Sequence, residues 1–110
     1  MKTYESAGFD VVAERHLNDP GNDSFASYKE SHIADLCRSV ASEASPDAIV
    51  IFCTNFRGAA VAPIIEKETG IVVIDTVSTA LWKSLCFTGM KPNTISSLAD
   101  HWGKLFTLHV

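Results

Sequence analysis

The sequence predicts a single α/β domain built on a short parallel sheet of three to four strands flanked by helices. Three observations carry this. Ala48–Phe52 (AIVIF) and Ile71–Ile74 (IVVI) are unbroken apolar runs of strand length, the pattern of strands buried on both faces of a parallel sheet. These runs alternate with segments of helical periodicity, as βαβ units require. The length, 110 residues, suits one hydrophobic core and no more.

Taken in order, residues 1–7 read as the end of a helix that Gly8 stops. Phe9–Arg15 (FDVVAER) is a first strand candidate, and Leu17–Asp23 (LNDPGND), punctuated by Pro20-Gly21, is a turn. Ser24 can cap a helix running to about Glu43, with Ile33, Leu36, Cys37 and Val40 on one face. Ser45-Pro46-Asp47 breaks it before the strand that ends at Phe52. A helix is expected over Gly58–Thr69 with Gly70 as its stop, then the strand Ile71–Ile74. Asp75 stands where it can cap a helix beginning near Ser78, and Thr79–Thr88 carries Leu81, Trp82, Leu85 and Cys86 at core spacing. Met90–Asn93 reads as a turn, and the tail from Ser96 to Val110 is amphipathic without a clear state.

Composition narrows the function. Hydrophobic residues make up 46% and charged ones 20%, which describes a soluble globular protein. A net charge of −4 without a Lys/Arg cluster argues against nucleic acid. No apolar run approaches a membrane span, and the opening MKTYESAG lacks the apolar stretch of a signal peptide, so a cytoplasmic protein is expected. Cys37, Cys53 and Cys86 are odd in number and lack CxxC spacing, which favours reduced thiols over disulfides or zinc. His32, His101 and His109 show no ligand spacing, and no metal is expected.

The segment Asp47–Gly58 (DAIVIFCTNFRG) draws attention to Cys53. A thiol there follows a buried strand and precedes a helix, where backbone N–H groups and the helix dipole favour thiolate. Ligands of open parallel sheets bind outside the carboxyl ends of the strands, and Cys53, Thr54, Asn55, Asp75, Thr76 and His16 are all expected at that edge. Each has a plainer reading. A free cysteine at a strand end is ordinarily a small buried hydrophobe. Thr54 and Asn55 are good helix caps, and Arg57 suits a solvated surface as well as a bidentate carboxylate contact. Cys37 and Cys86 sit on apolar helix faces and read as core. A lone His16 earns no role.

The stretch FCTNFRGAAVAPIIEKETGIVVIDTVSTALWKSLCFTG resembles the C-terminal lobe of the aspartate/glutamate racemase superfamily. It is nearest the branch of maleate cis–trans isomerases and arylmalonate decarboxylases. The Cys-Thr-Asn turn, the helix ending in Gly, the short strand before Asp75-Thr76, Trp82 and the closing His101–Phe106 carry the likeness. The resemblance implies a flavodoxin-like lobe and cofactor-free chemistry at a carbon beside a carboxylate. It makes Cys53 the catalytic nucleophile or proton donor, with Thr54 and Asn55 holding a substrate carboxylate. Preorganised donors at a strand-to-helix turn suit an enediolate or carboxylate oxygen. The substrate implied is a small dicarboxylic or malonate-like acid.

Against that family the chain is short: residues 1–110 correspond to a single lobe, without the first lobe or this lobe's first strand. Tyr4 and Tyr28 do not stand at the family's substrate-binding tyrosine. A homodimer pairing two copies of Cys53 across a two-fold axis, or a separate partner lobe, would complete the site. Three other readings stay open. One is a catalytically inactive truncated lobe serving as an oligomeric interaction module; another is a small α/β binding module with Cys53 inert. The third, a thiol redox protein, is weakened by the lack of CxxC. Nucleotide binding has no Gly-rich phosphate loop to support it.

Overall fold

A computed structural model of the chain describes residues 5–15, 29–52 and 58–108. Its regular elements are α1 (Glu30–Ala44), β1 (Ala48–Ile51), α2 (Val61–Thr69), β2 (Val72–Asp75), α3 (Thr76–Phe87), α4 (Pro92–Ser96), α5 (Ala99–Trp102) and a closing 3-10 turn, Lys104–Thr107. The fold is mixed α/β. Strands β1 and β2 pair in parallel, Ala48 with Val72 through Ile51 with Asp75, joined by α2 as a crossover.

Helix boundaries follow local chemistry. Ser45 adopts a left-handed conformation (φ 46°), and its N–H closes α1 on the Ala41 carbonyl. Pro63 falls in the first turn of α2, where its missing N–H costs nothing. Gly70 (φ 75°) ends that helix as expected. Helix α3 begins at Thr76, three residues ahead of the expected start at Thr79, because Asp75 accepts the Ser78 N–H and starts the helix directly from the strand end. Pro92 opens α4, so the expected turn at Met90–Asn93 runs into a helix, and the tail resolves into α4, α5 and the 3-10 turn.

Two clusters divide the core. On one face of the sheet, Ile49, Ile51 and Val73 pack against Ile33, Ala34 and Cys37 of α1 and Val61, Ala62 and Ile65 of α2. On the other, Ile74 meets Trp82 and Leu85 of α3, with Ile95, Leu105 and Phe106 at the centre. Burying the Phe106 and Ile65 side chains contributes about 2–3 kcal/mol each. Leu81, expected in the core beside Trp82, is 38% exposed and stands outside it.

Glu66 ties the layers together. It is only 6% exposed, and its Oε2 accepts the Val73 N–H (3.0 Å) while Oε1 accepts the Lys104 N–H (2.9 Å). Gly103 (φ 105°) passes so close that a Cβ there would lie 3.1 Å from Glu66 Oε2 and from Ala62 Cβ. On the surface, Arg38 forks onto Glu68 through Nε and Nη2 (2.8 and 2.9 Å) and onto Asp35 through Nη1, linking α1 to α2.

Three expectations are corrected. Phe9–Arg15 is no strand: it has no regular structure, Phe9 and Val12 are 65% and 52% exposed, and Arg15 is paired with Glu43 of α1. Its order, Phe-Asp-Val-Val-Ala-Glu-Arg, neither alternates nor stays apolar, so no sheet face holds it. The sheet therefore has two strands among the described residues, where three to four were expected. Nor is β1 buried on both faces, since Val50 and Phe52 are 50% and 66% exposed. Among the described residues no helix is long and apolar enough to cross a membrane.

Candidate functional site

Both strands end at the same edge, and the chain's polar chemistry gathers there. β1 stops at Ile51, and Thr76, the first residue after β2, donates its hydroxyl to the Ile51 carbonyl at 2.6 Å. That bond ties the end of β1 to the start of α3. Gly58, where the described chain resumes beyond Phe52, packs against the same place. A Cβ on it would lie 2.5 Å from Asp75 Oδ1 and 2.9 Å from Ile51 Cδ1 and Cγ2. No side chain larger than hydrogen fits without displacement.

Asp75 is the centre of this edge. It is 1% exposed; Oδ2 accepts the Ser78 N–H at 3.0 Å, and its carbonyl accepts the Thr79 hydroxyl at 2.9 Å. Burial pushes its carboxyl above the ordinary carboxylate range, and the N–H groups of Ser78 and Val77, with the nearby Ser78 hydroxyl, only partly offset this. Asp75 Oδ1 and Ser78 Oγ are both buried without a hydrogen-bond partner. A cleft of about 250 Å³ opens here, lined by Glu30, Gly58, Ala59, Ala60, Asp75, Val77 and Trp102. A second hollow of about 290 Å³ lies against the helical residue Glu5 and the irregular segment Val11–Glu14, away from the strand ends.

The residues the sequence singles out divide between these regions. Cys53, Thr54, Asn55 and Arg57 lie outside the described residues, as do His16, Tyr4, Tyr28 and the expected cap Ser24. Their flanks, Phe52 and Gly58, are described. Asp75 and Thr76 stand at the strand edge where they were expected. Cys37 is core, as its apolar helix face indicates, and burial raises its thiol to about 11, which makes it inert. Cys86 is half-buried beside the second cluster.

Sequence reasoning placed Asp75 at the ligand-binding edge with a capping role, and did not single out Glu30 or Gly58 for the site. An Asp ending an unbroken apolar run was the available signal: four apolar residues bury whatever follows them in register. Gly58 carried a weaker one, a lone glycine between a strand and a helix. Glu30 and Trp102 reach the cleft from the start of α1 and the end of α5. Only the folded chain brings them together.

No curated protein and no solved structure matches the chain. The arylmalonate decarboxylase (Amdase) family pattern, in contrast, matches residues 1–106, a span that includes both strands, the Asp75 edge and the sequence Cys53-Thr54-Asn55. The chain therefore belongs to the arylmalonate decarboxylase family, within the Asp/Glu racemase superfamily.

Proposed function

We propose that this chain is a flavodoxin-like lobe performing cofactor-independent chemistry on a small dicarboxylic or malonate-like acid, with Cys53 as nucleophile or proton donor. Thr54 and Asn55 hold a substrate carboxylate, and Arg57 pairs with it bidentately. Decarboxylation breaks the bond to one carboxyl group, releases carbon dioxide and leaves an enediolate; the Cys53 thiol then delivers its proton to the carbon. The observation that carries this reading is the family match over residues 1–106. The polar strand edge supports it, because the five residues 53–57 connect Phe52 to Gly58 beside the cleft at Asp75. A homodimer or a partner lobe supplies the opposite wall.

The test is carbon dioxide release from phenylmalonate by the 110-residue chain. Removing a proton donor costs about 10²–10⁴-fold in rate, so Cys53→Ala abolishes measurable release. An unaltered rate in that variant, or no release by the wild type at any protein concentration, defeats the proposal. One observation favours a second reading, an inactive lobe kept as an oligomeric interaction module. Val50, Val77 and Phe87 are 50%, 47% and 80% exposed, apolar surface that association would cover. An oligomer in sedimentation analysis without phenylmalonate turnover selects that reading.

A further inference from the structure

Half of the Asp75 carboxyl serves the fold and half does not. Oδ2 starts α3 by accepting the Ser78 N–H, whereas Oδ1, in a residue 1% exposed, accepts and donates nothing. Leaving such an atom unpaired costs about 1–3 kcal/mol, and more for a charged group. A cheaper arrangement is available to the sequence: an apolar residue in register with Ile51 with the helix capped from elsewhere. Gly58 packs directly against this atom, since any Cβ there would fall 2.5 Å from it. Gly58 and Asp75 are both walls of the 250 Å³ cleft.

The surroundings favour the protonated acid over the carboxylate. From α1, the exposed residue Glu30 lines the cleft, and it is burial that disfavours the charged form of Asp75. The buried residues of β1 and the start of α2 nearest this edge are apolar core (Ile51, Val61, Ala62), and Glu66 further along α2 is engaged with Val73 and Lys104. The first turn of α3 presents Val77 and Ser78, and α5 presents Trp102, with His101 exposed beside it. No cation among the described residues lines the cleft; Cys53 and Arg57 are outside them. In the protonated form Oδ2 still accepts from Ser78, and Oδ1 carries the hydrogen.

We propose that Asp75 is a substrate-binding acid of this site: with Oδ2 fixed by the Ser78 N–H, the Oδ1 hydroxyl donates a hydrogen bond to an oxygen of a small carboxylic acid in the cleft. This rests on the substrate class of the proposed function. A carboxyl group kept neutral by its setting is an effective donor to an anionic oxygen. Once deprotonated it becomes a second negative charge facing the ligand, so binding weakens as pH rises.

The experiment is calorimetric titration of the full chain with phenylmalonate between pH 4 and 8, in wild type and Asp75→Asn. The Asn amide keeps both functions at every pH, its oxygen accepting from Ser78 and its Nδ2 donating to the ligand. The expected result is a wild-type affinity that falls about tenfold more than that of Asp75→Asn across the range, the worth of one hydrogen bond. Asp75→Ala binds about tenfold more weakly than Asp75→Asn throughout. If Asp75→Ala does not fold, the Asn comparison, which preserves the cap, decides alone. Superimposable wild-type and Asn profiles overturn the proposal, and so does wild-type protein that binds phenylmalonate at no pH. Binding with the expected pH profile but without carbon dioxide release upholds it and refutes the proposed activity instead.

Discussion

Gly58→Ala tests the packing of the strand edge directly. The new methyl meets Asp75 Oδ1 at 2.5 Å and two Ile51 carbons at 2.9 Å, against ordinary contacts of about 3.5–4.0 Å between carbons. Neither neighbour is a loose end in solvent: Ile51 is 6% exposed, Asp75 is 1% exposed, and the latter is pinned by the Ser78 N–H. Overpacking of this kind costs about 1–3 kcal/mol, and swinging Asp75 away adds about 1 kcal/mol for the lost cap. The stiffer unfolded chain returns about 0.4–1 kcal/mol. The net loss is about 1–3.5 kcal/mol, or a fall in Tm of roughly 5–25 °C for a domain of this size. Urea unfolding followed by circular dichroism at pH 7 measures it, with an unchanged m-value expected. Adding Ile51→Val, which removes the Cδ1 contact, recovers about 0.5–1 kcal/mol of the loss as a coupling term. A Gly58→Ala protein within 0.5 kcal/mol of wild type, a limit typical of featureless surface sites, refutes the close approach.

Three further outcomes are expected. Glu66→Leu orphans the Val73 and Lys104 N–H groups and destabilises by about 2–5 kcal/mol in urea unfolding, whereas Glu66→Gln retains an acceptor and loses less. The Cys37 thiol, raised from 9.0 to about 11, contributes stability that is complete below pH 9 and is lost as pH climbs through 11. That alkaline loss, about 3 kcal/mol, is absent in Cys37→Ala, and at pH 8 Cys37 alkylates only upon unfolding. Asp75, also shifted upward, stabilises most below its ordinary value of 3.8 and progressively less as pH rises through its folded value. Asp75→Asn therefore gains stability relative to wild type between pH 4 and pH 7, and parallel pH curves for the two proteins contradict the assigned burial.

Where one local signal dominated, the sequence was legible. Apolar runs marked β1 and β2, and Gly70 and Ser45-Pro46 marked helix ends, because these depend on neighbours in the chain alone. FDVVAER misled because β-branched residues suggested a strand, while pairing depends on a partner that local sequence cannot show. The exposed face at Val50 escaped for the same reason: an unbroken apolar run says what a strand could bury, not what covers it. At the site, Asp75 and Thr76 were placed at the right edge from sequence. The unpaired Oδ1, the closeness of the Gly58 contact and the approach of Glu30 and Trp102 depend on tertiary packing, which the local signals at Asp75 and Gly58 did not specify.

The two edges of the sheet are not equivalent, and Glu66 makes the difference. In a parallel pair, successive backbone N–H groups of a strand point alternately toward and away from its neighbour. The Val73 N–H goes to Glu66 Oε2, so it points away from β1, and a carboxylate stands where a further strand would present a carbonyl. The same carboxylate holds Lys104, which keeps the 3-10 turn against β2. That edge is closed by a buried acid and a covering segment, two of the ways proteins block strand addition. β1 has no such cover among the described residues: its outer edge is unpaired there, and its outer face carries exposed Val50. A third strand, whether from this chain or from a second copy, therefore has one place to add. It would join at β1, the strand whose last residue, Ile51, precedes Cys53 by two positions in the chain.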